Sequence, residues 1–398
     1  MKSEYTCLVN GLSLVPPLSG VGRAVFELCK RIFHEDGFWT PIYYYGYYSD
    51  KLISLEIPVD TGETRKTIKD RIIKTAISVV RSSHMLKRAA RLTLNTLAAL
   101  SRNKNKALLY WEPNHVILDA LKSKYKLLTI HDLSCLLYPQ WHPRERLDFF
   151  NAFFLPGVNK ADLIVTVSDT IRREAIEVLK APEDRVLSIH NGVDHEIFHP
   201  IPEDSLEVFH RQANLPESYV LCVGSLEPRK NLTTLLDAWL CLPRRITNTH
   251  KLILISNAGW ENVGIMEKIR KGEKEGSVYL RTDVPNHDLP YYYNLAELVV
   301  YVSLYEGFGL PPVEAMACGT PVIASDIPTH REVLGDAAVY VDPGNTKEIA
   351  ECLEATLTAS TGKKSASEKC LERASLYNWD KAASKYLSVM GDLCCKLV

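Results

Sequence analysis

The sequence predicts an α/β protein of two domains, each built around a parallel sheet. Short apolar runs of strand length alternate along the chain with stretches whose apolar residues recur at helical spacing. Such alternation is typical of parallel sheets that are covered by helices. The chain has 398 residues, of which 46% are hydrophobic, and this is enough for two substantial cores.

The first half of the chain contains four of the predicted strands. The first covers residues 6–12, and a helix follows Gly20 and Gly22 because apolar residues then recur at helical spacing. Later strands of this half are predicted at residues 107–111, 127–131 and 163–167. Turn-forming residues crowd the stretch 190–202, which is predicted to join the two halves.

The second half of the chain continues the same alternation. Its strands are predicted at residues 219–223, 251–256, 278–280, 298–302 and 321–324. Helical patterns separate them, as the crossover connections of a parallel sheet require. No internal repeat with a period of about 20–50 residues is visible, so a solenoid or propeller is not expected.

Charge is distributed unevenly along the chain, although the net charge is only −1. Residues 61–106 hold twelve Lys or Arg against two acidic residues, a balance of +10, which leaves −11 for the rest. Apolar residues are interleaved with the basic ones. This pattern predicts one or two amphipathic helices that bind peripherally to anionic lipid. A core helix with a solvated basic face is the alternative. Nothing in the net charge calls for a nucleic acid partner.

The ten cysteines show no C-x-x-C pair and no metal-type spacing with histidine, so buried free thiols are expected. The first residues lack the charged and apolar regions of a signal peptide. No apolar run approaches the ~18–20 residues of a membrane span. We therefore expect a cytoplasmic protein.

The segment EGFGLPPVEAMACG, residues 306–319, places Glu306 and Glu314 eight residues apart, between a predicted strand and a predicted helix. Its paired prolines suit the first turn of the helix, and its last glycine suits the helix end. Gly307 and Gly309 lack Cβ atoms, so a ligand can approach their N–H groups closely. Open parallel sheets bind ligands at this edge, which predicts a site here. For Glu314 alone, the alternative is that its negative charge only stabilises the helix dipole.

Two cations follow another predicted strand, in the segment EPRKN, residues 227–231. Asn231 is predicted to cap the helix that comes next. Arg229 can bind phosphate oxygens through two nitrogens, and Lys230 adds a point charge. Beside a helix N-terminus, such a pair would offset the charge of a diphosphate. Solvated surface cations are the alternative.

The first half of the chain adds two further candidate positions. The helix start SGVG contains Gly20 and Gly22, whose N–H groups could face a phosphate or an acceptor. It is not a dinucleotide-binding fingerprint, because Val25 stands where a third glycine is needed. His131 ends a predicted strand and is a candidate for contact with a reacting group. A satisfied histidine at the top of a core is the alternative.

In content and order, these motifs resemble those of retaining glycosyltransferases of the GT-B fold, in glycosyltransferase family four. The resemblance extends over most of the chain, and it is carried by HDLSCLLYPQWHP, NGVDHEIFHP, VGSLEPRKNLTTLLDAW and EGFGLPPVEAMACG. It implies two Rossmann-like domains facing a central cleft. Residues 1–198 would bind the acceptor and residues 199–376 the nucleotide sugar. A last helix in residues 377–398 would cross back to the first domain.

The resemblance also implies roles for individual residues. His131 and Glu306 would be the catalytic residues at the transferred sugar. The residues that would bind the donor are Gly20, Gly22, Arg229, Lys230, Val284, Phe308, Gly309, Leu310 and Glu314. Among them, Glu314 would bind the ribose and Val284 the base through its backbone. Many family members carry Arg where this chain has Ser225, so one cation fewer is available here.

The reaction that the resemblance implies is retaining transfer without a metal ion or other cofactor. No D-x-D triplet occurs in the sequence, so Arg229, Lys230 and helix dipoles would take the place of a divalent metal. The nucleoside diphosphate leaves, an oxocarbenium-like sugar forms, and the acceptor hydroxyl attacks from the same face. The departing phosphate accepts the proton of that hydroxyl.

The combination of SGVG, HDLS, EPRKN and EGFGLPPVEAMACG looks most like bacterial surface-polysaccharide mannosyltransferases. It implies that the chain moves mannose from GDP-mannose onto a lipid-linked oligosaccharide, at the inner face of the cell membrane. A UDP-sugar or GDP-rhamnose transferase on the same scaffold is one alternative, and a nucleotide-sugar epimerase is another. A non-catalytic scaffold that binds lipid through residues 61–106 is a third.

Overall fold

In the computed structural model, the chain divides into two α/β units. The first comprises Met1–Val167, Arg172–Ile189 and Ala383–Val398, and the second comprises Ser168–Ile171 and His190–Ala382. The structure describes residues 5–14, 18–32, 38–39, 42–44, 47–49, 52, 96, 99, 107–115, 117–256, 263–282, 284–359 and 363–395. Apart from positions 96 and 99, the basic segment 61–106 lies outside the described residues.

The first unit contains an eight-stranded sheet among its described residues. Its strands are β1 (Tyr5–Asn10), β2 (Phe38–Trp39), β3 (Ile42–Tyr44), β4 (Tyr47–Ser49), β5 (Ala107–Glu112), β6 (Ser123–Ile130), β7 (Leu163–Thr166) and β8 (Val186–Ser188). The strand order is β4-β3-β1-β5-β6-β7-β8, and β2 pairs with β1. All of these pairings are parallel except that between β3 and β4.

Helices cover this sheet because their apolar residues recur on one face. They are α1 (Gly20–Ile32), α2 (Ser134–Leu137), α3 (Arg144–Lys160) and α4 (Asp169–Leu179). In α1, Val25, Leu28 and Ile32 are buried, as their spacing predicts. In the central strands, residues 7–10 of β1 and all of β5 except Leu108 are buried in the core.

The second unit contains a six-stranded, fully parallel sheet. Its strands are β9 (Tyr219–Val223), β10 (Lys251–Ile255), β11 (Val278–Arg281), β12 (Leu298–Tyr301), β13 (Val322–Ser325) and β14 (Ala338–Val341). The order is β11-β10-β9-β12-β13-β14. The chain therefore builds outward from β9 to β11 and then returns to β12 on the other side. This reversal makes the boundary between β9 and β12 a topological switch point.

The remaining helices follow in chain order. They are α5 (Glu203–Gln212), α6 (Leu232–Leu240), α7 (Arg244–Thr249), α8 (Val263–Lys274), α9 (Leu289–Leu295), α10 (Leu310–Ala317), α11 (Pro328–Leu334), α12 (Thr346–Thr358), α13 (Lys363–Ala374) and α14 (Trp379–Cys395). Residues of α14 from Ala383 onward belong to the first unit, where Tyr386 packs on Trp111 at a ring separation of 5.2 Å. No helix in the described part of the chain has both the length and the hydropathy of a bilayer span.

The predicted α/β architecture is confirmed, and the helix of the Glu306 segment begins and ends as its prolines and glycine predict. Gly319 follows α10 with a φ of +77°. Two details differ. β4 runs antiparallel at the edge of the first sheet. Asn231 occupies the N-cap position of α6, but its side chain caps no N–H group; its backbone is left-handed, and its amide donates to the carbonyl oxygens of Val302 and Pro343.

Candidate active site

Two loops that the sequence analysis singled out separately meet at the switch point of the second sheet. Because β9 and β12 pair in parallel, the loops that follow them leave from the same edge. After β9 the chain makes a short 3-10 turn at Pro228–Lys230, and after β12 it runs into α10. A backbone hydrogen bond of 2.8 Å from the Leu304 nitrogen to the Arg229 oxygen joins the loops. The fold thereby brings the predicted cations to Glu306.

Four side chains at this edge form one hydrogen-bonded group, called here the Glu306 cluster: Arg229, Lys230, Tyr301 and Glu306. Arg229 Nη1 donates to Glu306 Oε2 at 2.8 Å, and Lys230 Nζ donates to Oε1 at 2.6 Å. Tyr301 Oη accepts from Lys230 Nζ at 2.5 Å and donates to Glu306 Oε1 at 3.0 Å. The Glu306 side chain is 7% exposed, so the carboxylate is held from both sides inside the protein.

The charges of the cluster decide its protonation. Burial alone would raise the pKa of Glu306, but the positive charges of Arg229 and Lys230 outweigh it and hold that pKa well below its usual range. Burial, with the Arg229 charge, lowers the pKa of Lys230, and Glu306 opposes this. Burial beside the Glu306 carboxylate raises the pKa of Tyr301. At neutral pH the carboxylate is therefore ionised and the tyrosine keeps its proton.

A second carboxylate adjoins the cluster. Glu227 Oε2 accepts from Arg229 Nε at 3.2 Å, and its Oε1 accepts from the Ser225 hydroxyl at 2.7 Å. Ser225 thus orients a carboxylate and adds no cation. The formal charges of Arg229, Lys230, Glu227 and Glu306 sum to zero. A phosphate group that entered here would have to share both cations with carboxylates.

The start of α10 offers backbone N–H donors next to this cluster. Gly309 has a φ of +89°, a conformation that favours glycine, and it occupies the N-cap position of the helix. The N–H groups of Gly309 and Leu310 form no hydrogen bond with any residue that the structure describes. Phe308 is buried and packs edge-on against Tyr377, with ring centroids 5.3 Å apart. The site therefore combines orphan N–H groups at a helix N-terminus with two cations.

Side chains from distant segments fix the loop that carries Glu306. The Ser168 hydroxyl donates to the Gly307 carbonyl oxygen at 2.7 Å, and the Thr329 hydroxyl donates to the Glu306 carbonyl oxygen at 2.7 Å. Both carbonyl groups are thereby held in place without the help of a ligand. Such preorganisation is what a binding loop requires.

Glu314 lies on α10, buried, and accepts a hydrogen bond of 2.9 Å from the Tyr293 hydroxyl. Tyr293 belongs to α9 and is fully buried, so it fixes the direction of the Glu314 carboxylate. Val284 is half-buried in the loop that follows β11, at one end of the same sheet. The structure places it at the carboxyl edge, and its role in base contact stays a prediction.

His131 follows β6 in the first unit and is 7% exposed. Its Nε2 lies 2.8 Å from the Pro113 carbonyl oxygen, an acceptor only, so Nε2 carries the proton and Nδ1 the lone pair. Burial lowers the pKa of His131, which keeps the ring neutral at physiological pH. The His131 backbone N–H donates to His115 Nε2 at 3.3 Å. His115, whose φ is +67°, thus supports His131 from the loop after β5.

The two glycines of α1 differ in their surroundings. A Cβ atom on Gly22 would lie 2.4 Å from the Ser13 carbonyl oxygen, whereas one on Gly20 would meet nothing within 4 Å. The Gly22 N–H donates to Ser19 Oγ at 3.1 Å. Close packing therefore accounts for Gly22, and its N–H group is already used. Donor binding by Gly20 and by Gly22 stays a prediction.

Asp169, His190 and Glu332 bring three potential metal-ligand atoms within 4.8 Å of one another. Glu332 already accepts four hydrogen bonds of 2.6–2.7 Å, from His190, from both polar groups of Thr170 and from the Asp169 N–H. Burial would raise the pKa of Glu332, but these donors lower it to about 2. The carboxylate thus caps the start of α4, which explains the cluster without a metal.

Several site residues escaped the sequence analysis. The Tyr301 hydroxyl binds Glu306 and the Tyr293 hydroxyl binds Glu314, but Tyr301 was predicted only as part of an apolar strand and Tyr293 belonged to no predicted feature. Thr329 and His115 belong to no pattern that links them to a site. One signal could have indicated the tyrosines. A tyrosine at a predicted core position buries a hydroxyl group that needs a hydrogen-bond partner, and the two glutamates could supply it.

The amino-acid sequence matches two protein-family models and several known proteins. Residues 61–197 match the family model for Glycosyltransferase Family 4, and residues 206–374 match that for Glycosyl transferases group 1. The chain is 29% identical over 373 residues to O-antigen chain mannosyltransferase B of Escherichia coli, covering 94% of this chain and 96% of that protein.

Two further similarities agree with this. The chain is 28% identical over 267 residues to the serotype-specific mannosyltransferase WbdA of Escherichia coli, covering 66% of this chain and 32% of that longer protein. The crystal structure of Anabaena Alr3699/HepE in complex with UDP and glucose superposes with a TM-score of 0.67 at 15% identity, covering 98% of this chain and 100% of that one. This last match confirms the fold. The chain belongs to the GT-B glycosyltransferases of the mannosyltransferase-like type, with a family 4 domain followed by a group 1 domain.

Proposed function

We propose that this protein is a retaining mannosyltransferase that transfers mannose from GDP-mannose to a lipid-linked glycan in surface-polysaccharide synthesis. The observation that carries the transfer chemistry is the Glu306 cluster beside the N–H groups of Gly309 and Leu310, which have no partner in the described part of the chain. The choice of mannose is supported by the similarity to O-antigen chain mannosyltransferase B over nearly the whole chain.

In this proposal the donor lies along the carboxyl edge of the second sheet. Arg229 and Lys230 bind the diphosphate, and the positive end of the α10 helix dipole favours its charge, while the N–H groups of Gly309 and Leu310 face the transferred sugar. Glu306 holds hydroxyl groups of the transferred sugar, and Glu314, oriented by Tyr293, binds the ribose. The complex of Anabaena Alr3699/HepE with UDP supports nucleotide binding by a protein of this fold.

The reaction proceeds by departure of the nucleoside diphosphate. The two cations and the α10 helix dipole stabilise the negative charge that grows on the leaving phosphate. The acceptor hydroxyl attacks the oxocarbenium-like sugar from the face that the phosphate leaves, and the phosphate takes its proton. Neutral His131, with its lone pair on Nδ1, orients hydroxyl groups near the reacting carbon. No metal ion or other cofactor takes part in this scheme.

The acceptor is lipid-linked, and the protein works at the cytoplasmic face of the membrane. The support for this is the excess of ten positive charges in residues 61–106. Basic residues near an anionic bilayer each contribute about 1 kcal/mol, so half of them suffice for peripheral docking.

The test is mass spectrometry of lipid-linked acceptors incubated with GDP-mannose and purified protein. The wild type should add hexose units, Glu306→Ala should add none, and Glu183→Ala should match the wild type. Glu183 is a suitable control because its side chain is 74% exposed in a surface ion pair. Equal transfer by Glu306→Ala and wild type would contradict the assigned site.

The donor base is decided by thermal shift with a panel of nucleoside diphosphates. GDP should raise the melting temperature more than UDP does. A preference for UDP would exclude GDP-mannose and leave the UDP-sugar transferase. Absence of any shift and of any hydrolysis would favour the lipid-binding scaffold.

A further inference from the structure

His330 of α11 is a fully buried histidine beside the Glu306 cluster. Its Nδ1 lies 2.9 Å from the Ser325 hydroxyl and 3.1 Å from the Ser325 carbonyl oxygen. That hydroxyl donates its own proton to the Ser303 carbonyl oxygen at 2.6 Å. Both groups therefore accept from the ring, so Nδ1 carries the proton and Nε2 carries the lone pair.

The Nε2 lone pair has no hydrogen-bond partner among the described residues. A buried acceptor without a partner costs free energy, and such a group in a folded protein calls for an explanation. Nε2 faces Gly309: a Cβ atom on that glycine would lie 3.6 Å from Nε2 and 3.7 Å from Cδ2 of the ring. The imidazole thus supports the residue at which α10 begins.

The electrostatic surroundings fit a neutral ring in this orientation. The lone pair faces the N-terminus of α10, the positive end of the helix dipole. A protonated ring would meet that end and the Lys230 ammonium. Burial is the main cause that lowers the pKa of His330 to about 4; Lys230 adds to it, while Glu306 and the Ser325 carbonyl oppose it. His330 is therefore neutral at physiological pH.

We infer that His330 is a positioning residue of the donor site: acting through Gly309, it holds the N–H groups of Gly309 and Leu310 in the direction of the bound sugar. The neighbouring Thr329 holds the same loop at a second point, through the Glu306 carbonyl oxygen. Residues of helix α11 thus contact both ends of the segment between Glu306 and Gly309. This inference rests on the proposed function, since it assigns those N–H groups to the sugar of the donor.

A matched pair of variants separates this role from simple packing. His330→Asn keeps an N–H donor for Ser325 but stops short of Gly309. His330→Gln places an amide oxygen near the position of Nε2 and fills the space below Gly309. Isothermal titration calorimetry with GDP and with GDP-mannose then reports the contribution of the sugar separately from that of the nucleotide.

The wild type should bind both ligands. His330→Asn should bind GDP within about twofold of wild type but GDP-mannose at least about fivefold more weakly, with a lower turnover number, because the loop that faces the sugar is no longer fixed. His330→Gln should restore both quantities. Three results would each overturn the inference. His330→Asn could bind GDP and GDP-mannose with equally reduced affinity, or it could behave as the wild type. Alternatively, His330→Gln could fail to restore GDP-mannose affinity and turnover.

Two further outcomes are informative. If the wild type binds neither ligand, the proposed function fails, and the inference fails with it. If His330→Asn does not fold, as circular dichroism would show, Ser325→Ala carries the test, since it removes one acceptor of the ring proton and keeps the ring. It should show the same selective loss for GDP-mannose, and an equal loss for GDP would overturn the inference.

Discussion

The substitution Glu306→Gln tests how the protein balances charge at its proposed donor site. Glu306 holds two cations, Arg229 at 2.8 Å and Lys230 at 2.6 Å, with 7% of its own side chain exposed. Glutamine keeps the shape of the side chain but removes its charge. The formal charge of the two cations, Glu227 and residue 306 then rises from zero to one positive charge.

The substitution should lower the stability of the free protein and raise its affinity for a nucleoside diphosphate. Removing one partner of a buried ion pair destabilises a protein by about 3–5 kcal/mol, because the other charges stay buried without compensation. The added positive charge attracts a phosphate about 5 Å away with about 3 kcal/mol at an effective dielectric constant near 20. Allowing for solvent screening, nucleoside diphosphate affinity should rise by about 1–3 kcal/mol, or roughly 5- to 150-fold. The variant should thus be less stable alone and bind GDP more tightly.

The assay combines thermal unfolding with calorimetric titration, each with and without GDP. The Glu306→Gln protein should melt below the wild type, and saturating GDP should narrow that gap. Transfer to an acceptor should nevertheless fall, because the carboxylate that holds the sugar is gone. Unchanged stability together with unchanged or weaker GDP binding would show that Glu306 does not balance the charge of these cations.

The pH dependence of the stability of wild type and of Glu306→Gln tests whether Glu306 is ionised. The pKa of Glu306 is lower in the folded protein than its ordinary value of 4.5. Its contribution to stability is therefore fully present above that value and is lost as pH falls toward the folded pKa. The stability gap between wild type and Glu306→Gln should be widest at neutral pH and should narrow below about 4.5. A gap that widens on acidification would contradict the ionised state assigned to Glu306.

Three further predictions concern other parts of the site. Tyr293→Phe should weaken nucleotide binding about fivefold, because Glu314 loses the hydroxyl that orients it, and calorimetry with GDP measures this; equal affinity would remove Tyr293 from the site. Gly22→Ala should lower the unfolding free energy by about 1–3 kcal/mol through the clash with Ser13, whereas Gly20→Ala should change it by less than about 0.5 kcal/mol; equal effects in urea titrations would count against the packing role. Mannose transfer should persist in excess EDTA, and its loss with recovery on adding Mg²⁺ or Mn²⁺ would show that the reaction needs a metal.

The sequence was sufficient to predict the α/β fold and both loops of the site. Apolar runs marked β9 and β12, and the glycines and prolines that follow β12 marked the turn into α10. These features depend on local preference and periodicity, which are readable in a window of a few residues. The meeting of Arg229 and Lys230 with Glu306 then follows from the parallel pairing of β9 with β12.

The sequence could not predict how the charges and hydroxyl groups of the site are paired. Arg229 and Lys230 are bound by carboxylates, and the Tyr301 hydroxyl joins Lys230 to Glu306. Asn231 was predicted to cap α6 and does not, because its amide donates to the Val302 and Pro343 carbonyl oxygens. The contacts of Lys230 with Tyr301 and Glu306, and those of Asn231 with Val302 and Pro343, join residues more than 70 positions apart, beyond the reach of a local pattern.

The first product of donor hydrolysis distinguishes retaining from inverting transfer at the Glu306 cluster. Time-resolved proton NMR of GDP-α-mannose with purified protein and no acceptor can identify the mannose anomer that is released before mutarotation. The wild-type protein should release α-mannose first, and Glu306→Ala should release no mannose. Initial release of β-mannose would contradict retaining transfer.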